Sequence, residues 1–212
     1  MEKLKLKLHS RNNNKMNRQD IGDTMILKTK RLILQQWKPS NLEPFAMLNS
    51  DPVVMENFPK ILFRIESDEL AGKIKKFITE NNWGLWAVEL ISTHEFIGFV
   101  GLNSPRPEFP PAPCVEICWR LTRKYWGNGY ATEAGQECLK FAFEKLNLEK
   151  IVSFTTLNNL NSQAVMERLG MENTHQNFMH PNIEKNSPLC EHVLYSITQQ
   201  QWKKNNDQFN RK

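Results

Sequence analysis

The sequence predicts one domain of mixed α/β class, a mixed and mostly antiparallel sheet flanked by helices. Three observations carry this. Apolar, β-branched runs alternate along the chain with segments whose apolar residues recur at helical spacing. Two of the strand-like runs, LWAVELI and EFIGFVGLN, are separated only by Ser92-Thr93-His94, a hairpin spacing that excludes a purely parallel sheet. Two glycines, Gly127 and Gly129, sit where a strand-like run passes into a helix-like one.

The elements follow in order. Residues 1 to 24 hold six Lys/Arg against three Asp/Glu and no aromatic residue, so they are expected to form a disordered basic extension. Their first twenty residues lack an apolar core and a cleavage site, and do not read as a secretory signal. The folded domain is expected over 25–205, with 206–212 a flexible tail. ILKTKRLILQQW (26–37) reads as one strand. Ser40 to Glu43 has capping-box spacing and opens a short helix. Asp68 is the expected cap of a second helix, in which Leu70, Ile74, Phe77 and Ile78 share a face. After the hairpin comes a loop with Phe109 and five prolines, Pro105, Pro107, Pro110, Pro111 and Pro113, then the strand VEICWRL (115–121). A helix runs from the glycines to about Leu146, with Ala131, Ala134, Cys138 and Ala142 on one side. KIVSFTTL (150–157) is a strand, a short helix near 162–169 stops at Gly170, and HVLYSIT (192–198) is the last strand.

Composition narrows the function. The 212 residues are 40% hydrophobic and 24% charged, ordinary for a globular domain, with no apolar run near the ~20 residues that span a bilayer. The net charge of +5 tolerates anionic partners without specifying nucleic acid. The four cysteines have no CxxC pair, and reduced thiols in a cytoplasmic protein are the simplest reading. His175, His180, Cys190 and His192 have spacings that fit no standard metal site, so no metal is expected.

The glycine pair permits φ > 0 and close approach of a ligand, and the following helix aims its unpaired N–H groups at the same loop. The pair reads equally as an anion cradle or as a tight turn. GNGYAT lacks the third small residue of a dinucleotide fingerprint, and the chain has no GxxxxGK[ST].

Strand VEICWRL, then RKYWGNGYATEA, then KIVSFTTL, then NNLNSQAVMERLGM together resemble the GNAT acyltransferase superfamily, in particular its ribosomal-protein N-terminal acetyltransferase branch. The resemblance covers roughly 26–203 and implies a sheet splayed between a fourth strand, VEICWRL, and a fifth, KIVSFTTL. It implies acetyl-coenzyme A as cosubstrate. Its [Gln/Arg]-x-x-Gly-x-[Gly/Ala] pattern falls on Lys124 to Gly129, with Lys in the first place, so Lys124, Trp126, Gly127, Asn128, Gly129, Tyr130 and Ala131 would hold the diphosphate. Arg123, Lys124 and Arg168 would lie near the outer phosphate. The backbone of Trp119, Arg120 and Leu121 would pair with the pantetheine arm, and Asn159 and Ser162 would bond it farther on.

Strand alternation puts Glu116, Cys118 and Arg120 on one face. Glu116 is the candidate base for an attacking amine; a structural pair with Arg120 is the alternative. Where many relatives carry a Tyr acid, this chain has Met166. Ser162 is then the candidate donor to the leaving thiolate, with a helix cap at Asn161 or Ser162 as the alternative. The oxyanion donor is expected to be a main-chain N–H near Cys118 or Trp119, and Cys118 itself a buried, inert thiol. The Pro-rich loop is the expected substrate wall; Phe58, Phe63, Trp83 and Trp86 are candidates for the acceptor side, with core packing the better account of most. The expected function is N-acetyl transfer to an amine-bearing acceptor (a protein N-terminus, a lysine or a small amine), with no membrane or nucleic-acid partner and a homodimer allowed. The alternatives are another acyl group or acceptor, or a non-catalytic coenzyme A sensor.

Overall fold

The computed structural model describes residues 25–209; the expected basic extension lies outside them. Nine strands form one sheet: β1 (Leu27–Lys28), β2 (Leu32–Gln35), β3 (Leu85–Leu90), β4 (Phe96–Asn103), β5 (Glu116–Leu121), β6 (Lys150–Thr156), β7 (Glu172–Asn173), β8 (Phe178–Met179) and β9 (Glu191–Thr198). Their order is β1-β2-β3-β4-β5-β6-β9-β7, with β8 also on β9. Every pairing is antiparallel except β5 with β6. Five α-helices accompany it: α1 (Leu42–Ser50), α2 (Arg64–Asn81), α3 (Tyr130–Glu144), α4 (Leu160–Arg168) and α5 (Gln199–Phe209). No helix among the described residues is long and apolar enough to cross a membrane.

The hairpin, the strand–glycine–helix junction and the last strand lie where periodicity puts them. Four local expectations do not hold. ILKTKRLILQQW is two antiparallel strands, because Thr29 to Arg31 form a turn in which Thr29 N–H donates to the Leu32 carbonyl at 3.0 Å. VEICWRL is therefore the fifth strand of this sheet and KIVSFTTL the sixth. The Ser40–Glu43 capping box is absent; a 3-10 turn over Pro39–Asn41 leads into α1, and Asn41 Oδ1 accepts from Lys38 N–H at 2.8 Å. Helix α2 begins a turn before Asp68: Glu66 reaches back to Phe63 N–H at 2.9 Å, and Asp68 instead accepts from Arg64 Nε at 2.8 Å. Helix α5 continues past residue 205 as far as Phe209, so that part of the expected tail is helical.

Helix α3 packs across β4 and β5, burying Ala134, Cys138, Leu139 and Ala142. Helices α1 and α2 pack on each other, with α1 against β4 and α2 against β3. Each fully buried Leu, Ile or Phe in these layers contributes roughly 1.5–3 kcal/mol relative to exposure. That core holds the site strands still. The one weak seam in the sheet is its parallel join: β5 and β6 share a single pair, Glu116 with Val152, after which they diverge.

Candidate active site

Strand β5 forms one lip of the gap. Thr122 N–H donates to the Ile97 carbonyl at 2.9 Å, which fixes the phase of the β4–β5 ladder. Cys118 and Arg120 spend their main-chain groups on β4, whereas Ile117, Trp119 and Leu121 turn theirs toward β6. Some of that edge is occupied. Ser153 Oγ donates to the Ile117 carbonyl at 2.9 Å, and Trp126 Nε1 to the Leu121 carbonyl at 2.7 Å. The Trp119 N–H and carbonyl and the Leu121 N–H face the gap with no β6 partner. Of the two residues expected near the oxyanion, only Trp119 presents its N–H there.

A cavity of about 650 Å³ fills the gap. Glu116, Cys118, Arg120, Gly127, Asn159 and Ser162 are among its walls. Glu116 is 8% exposed, and its Oε2 accepts from Asn103 Nδ2 at 3.2 Å. Burial pushes its pKa up to about 7, against the opposing pull of the Asn103 bond. No ion pair joins it to Arg120 among the described residues, so the structural alternative for Glu116 is not what forms. A smaller recess, walled by the start of the Pro-rich loop and Phe109, meets the main cavity at Glu116, Phe154 and His180. Burial, with Glu116 nearby, holds the Cys118 thiol well above its ordinary pKa, which leaves it protonated and a poor nucleophile.

The other end of the cavity is the glycine loop. Gly127 and Gly129 have φ of 76° and 78°, and a Cβ on Gly127 would meet nothing within 4 Å. The loop is therefore an open cradle at the N-terminus of α3, suited to an anion. Asn128 Nδ2 donates to the carbonyls of Tyr125 and Trp126 at 3.2 and 3.0 Å, bracing the loop from inside. Arg31 braces it from outside. Its Nη2 donates to the Asn128 carbonyl at 3.0 Å, its Nε pairs with Glu133 at 2.6 Å, and its guanidinium lies 4.4 Å from the Tyr130 ring centroid. Arg31 was not among the residues singled out from sequence, because it lies 97 positions before Asn128 and no local pattern links them.

The remaining candidates divide. Tyr130, Ala131, Trp126 and Arg168 line the cavity; Lys124 instead pairs with Glu95 at 2.8 Å, outside it. Arg123 does not line the cavity either. Asn159 caps α4, its Oδ1 accepting from Ser162 N–H at 3.2 Å while its Nδ2 donates to Thr155 Oγ1 at 2.9 Å. The cap is thus neither Asn161 nor Ser162, and the Ser162 hydroxyl makes no hydrogen bond among the described residues. Met166 is fully buried. Phe58 lines the cavity, but Trp86 is core, Trp83 packs on Phe77 and Phe63 is exposed. His180 and His192 stack at 4.9 Å between ring centroids, and burial drives the His192 pKa down to about 4. Among the described residues no group of three or more His, Cys, Asp or Glu side chains is arranged to hold a metal ion.

Residues 31–172 match the profile of the acetyltransferase (GNAT) domain. The uncharacterized N-acetyltransferase YnaD of Bacillus subtilis is 26% identical over 181 residues, covering 84% of this chain and 99% of that protein. The FsC-acetyl coenzyme A-N(2)-transacetylase of Aspergillus fumigatus is 35% identical over 114 residues, 51% of this chain and 48% of that one. Among solved structures, a GNAT-family acetyltransferase from Bacillus anthracis superposes with a TM-score of 0.70 at 24% identity, covering 83% of this chain and 99% of its own. Ribosomal-protein-S5-alanine acetyltransferase from Vibrio fischeri superposes at 0.66 and 18% identity, over 84% and 98%. A strand pair opened around a cavity, a glycine cradle at a helix tip and a profile match over most of the chain agree: this protein belongs to the GNAT family of acetyltransferases, enzymes whose cosubstrate is acetyl-coenzyme A.

Proposed function

We propose that the protein transfers the acetyl group of acetyl-coenzyme A to a primary amine by direct attack in a ternary complex. The observation that carries this reading is Glu116, a buried carboxyl with a pKa near 7 at the point where β5 and β6 part. A base of that pKa is matched to deprotonating an ammonium at neutral pH. The recess beyond Glu116 offers the proton a way to solvent.

The other roles follow from the phase of β5 and from the glycine cradle. The N–H groups of Gly127 to Ala131, with Trp126 and Asn128 beside them, receive the diphosphate. The Trp119 carbonyl and Leu121 N–H pair with the pantetheine arm as an added strand would, and Asn159 meets it farther along. The amine nitrogen, having given its proton to Glu116, bonds to the thioester carbon. The Trp119 N–H stabilises the oxyanion that develops. As the C–S bond breaks, the nitrogen gives up its second proton, which the departing thiolate takes up, and the Ser162 hydroxyl donates a hydrogen bond to the sulfur. A thiol pKa of about 8.5 makes the thiolate a fair leaving group with that help alone. The Aspergillus relative is named for acetyl transfer to a nitrogen, which favours an amine over an alcohol acceptor.

The test is thiol release from acetyl-coenzyme A across a panel of amines. Glu116→Gln is expected to lower kcat by roughly 10²–10⁴-fold while leaving coenzyme A affinity within a factor of two or so. In the parent protein, kcat/KM is expected to rise with pH through about 7, and this inflection to vanish in Glu116→Gln. Absence of turnover with every amine, at unimpaired coenzyme A affinity, would identify a sensor instead.

A further inference from the structure

Two side chains on the cavity face of β5 carry chemistry, and the acetyl-transfer scheme uses only Glu116. The other is Arg120, whose backbone belongs to the ladder but whose guanidinium extends into the cavity wall. Its Nη1 donates to Asn49 Oδ1 at 2.6 Å, and Asn49 Nδ2 in turn donates to Ser67 Oγ at 2.9 Å. The guanidinium carbon lies 4.0 Å from the Phe58 ring centroid and 5.5 Å from that of Phe99. These contacts fix the plane of the group and leave one edge unused. Nε is buried without a hydrogen-bond partner, and Nη2 makes no hydrogen bond among the described residues. Nε–H and Nη2–H are the two parallel donors with which arginine grips a carboxylate side-on.

The charge is as unusual as the donors. Among the described residues Arg120 forms no ion pair, although Glu56 and Glu116 line the same cavity. Buried arginines ordinarily have a carboxylate or an anion beside them, since an unpaired charge is expensive to desolvate. Burial draws the pKa of this guanidinium down to about 10, which still leaves it charged at neutral pH. Its neighbours Asn49 and Phe58, from α1 and the segment after it, hold it away from the glycine loop.

We infer that the side-on edge of Arg120 binds a carboxylate carried by the amine acceptor, and so selects the substrate. This rests on the acetyl-transfer reading of the same cavity. Glu116 and Arg120 are four positions apart, about 13 Å between Cα atoms along an extended strand. The reacting amine and the carboxylate therefore stand several bonds apart, as in an ω-amino acid, and an α-amino acid is too short to reach both.

The experiment compares ω-aminoalkanoates of increasing chain length with their carboxamides, in the parent protein, Arg120→Gln and Arg120→Lys. The parent is expected to favour the carboxylate of the best length by about 10–100-fold in kcat/KM, chiefly through KM. Arg120→Gln brings the ratio to about one, and Arg120→Lys keeps part of it, a point charge without the fork. Equal use of acid and amide by the parent overturns the inference, and so does an unchanged ratio in Arg120→Gln. So does loss of coenzyme A affinity in Arg120→Gln with acceptor preference intact, which would assign the guanidinium to the coenzyme. A second readout needs no turnover. In protein labelled with 15N-arginine, the Arg120 Nε–H signal, assigned from Arg120→Lys, is expected to shift on titration with N-acetylated ω-aminoalkanoate and not with its amide. No shift refutes the inference even if Arg120→Gln fails to fold. A shift in a protein that acetylates nothing refutes the enzymatic reading and leaves the carboxylate site standing.

Discussion

A carboxyl buried beside one amide donor costs more to ionise in the folded chain than in the unfolded one, and for Glu116 the sign of that cost is testable. Unfolded, it titrates near the usual ~4.3; folded, at about 7. Between these values the folded state holds the extra proton, so the stability contribution is complete below the unfolded pKa and is lost as pH rises through 7. The shift corresponds to about 4 kcal/mol at pH 8 and above. Glu116→Gln removes the penalty. Urea unfolding at pH 8 is expected to show the variant more stable than the parent by up to that amount, with the gain gone below pH 4. A variant less stable at pH 8 would mean that ionised Glu116 is held by a partner. Strand alternation alone put Glu116, Cys118 and Arg120 on one face, because period two needs no tertiary information. What Asn49 and Phe58 do to Arg120 was not legible, since they lie 71 and 62 positions away, on a helix and in the segment after it. The cap of α4 is illegible for a different reason: Asn158, Asn159, Asn161 and Ser162 all suit a cap chemically, and only the fold brings the Ser162 N–H onto Asn159 Oδ1.

The glycine loop is an element held from both sides, and the outer brace makes a prediction of its own. Glu133, in the first turn of α3, would oppose an anion at the helix tip if it were unpaired. Arg31 pairs with it and pins the Asn128 carbonyl. Arg31→Ala is expected to weaken coenzyme A binding by roughly tenfold, the worth of one charge-assisted bond, with little change in melting temperature because the pair is partly exposed. The double variant Arg31→Ala/Glu133→Gln is expected to recover part of that affinity; an additive loss by calorimetry would show that the two residues act separately. Gly127→Val tests the cradle directly. It forces a branched residue to a φ of 76°, roughly 1–2 kcal/mol of strain, and fills the open space at the loop where the diphosphate is proposed to sit. The glycines were readable because few residues tolerate that backbone at a strand–helix junction. The brace was not, for it depends on the β1–β2 turn, and the sequence there reads as an uninterrupted strand. Asp68 misled in the same way: a good capping residue lay inside α2 because Glu66 closes the helix start from the N3 position.

At the scale of the molecule the sheet is two antiparallel halves, β1 to β5 and β6 to β9, meeting at one parallel pair. The halves are tied on the α1 side by Thr156, whose hydroxyl donates to Asn57 Oδ1 at 2.8 Å, and at the base by Ser153 on the Ile117 carbonyl. Between these ties the β5 edge has main-chain groups that β6 does not meet. An exposed strand edge is a template for another strand, and a pantetheine arm with its two amides can fill that place. Coenzyme A is then a missing strand as well as a carrier, and binding it should stiffen the seam. At a concentration 100 times its Kd it adds about 2.7 kcal/mol to stability, a rise in melting temperature of about 5–10 °C for a domain of this size. A ligand gripped only at the diphosphate gives a rise too, so the decisive measurement is local. Hydrogen exchange should slow at the Leu121 amide, which the arm takes, slow also at the Trp119 amide when the acetyl thioester is present, and stay nearly constant at Cys118 and Arg120, whose amides already serve the β4 ladder. Desulfo-coenzyme A should protect Leu121 and not Trp119, because the arm and not the thioester makes the Leu121 bond, whereas adenosine 3′,5′-bisphosphate should protect neither. Equal protection along all four residues, or protection confined to 127–131, would mean that the arm lies elsewhere and that the gap between β5 and β6 serves only the acceptor.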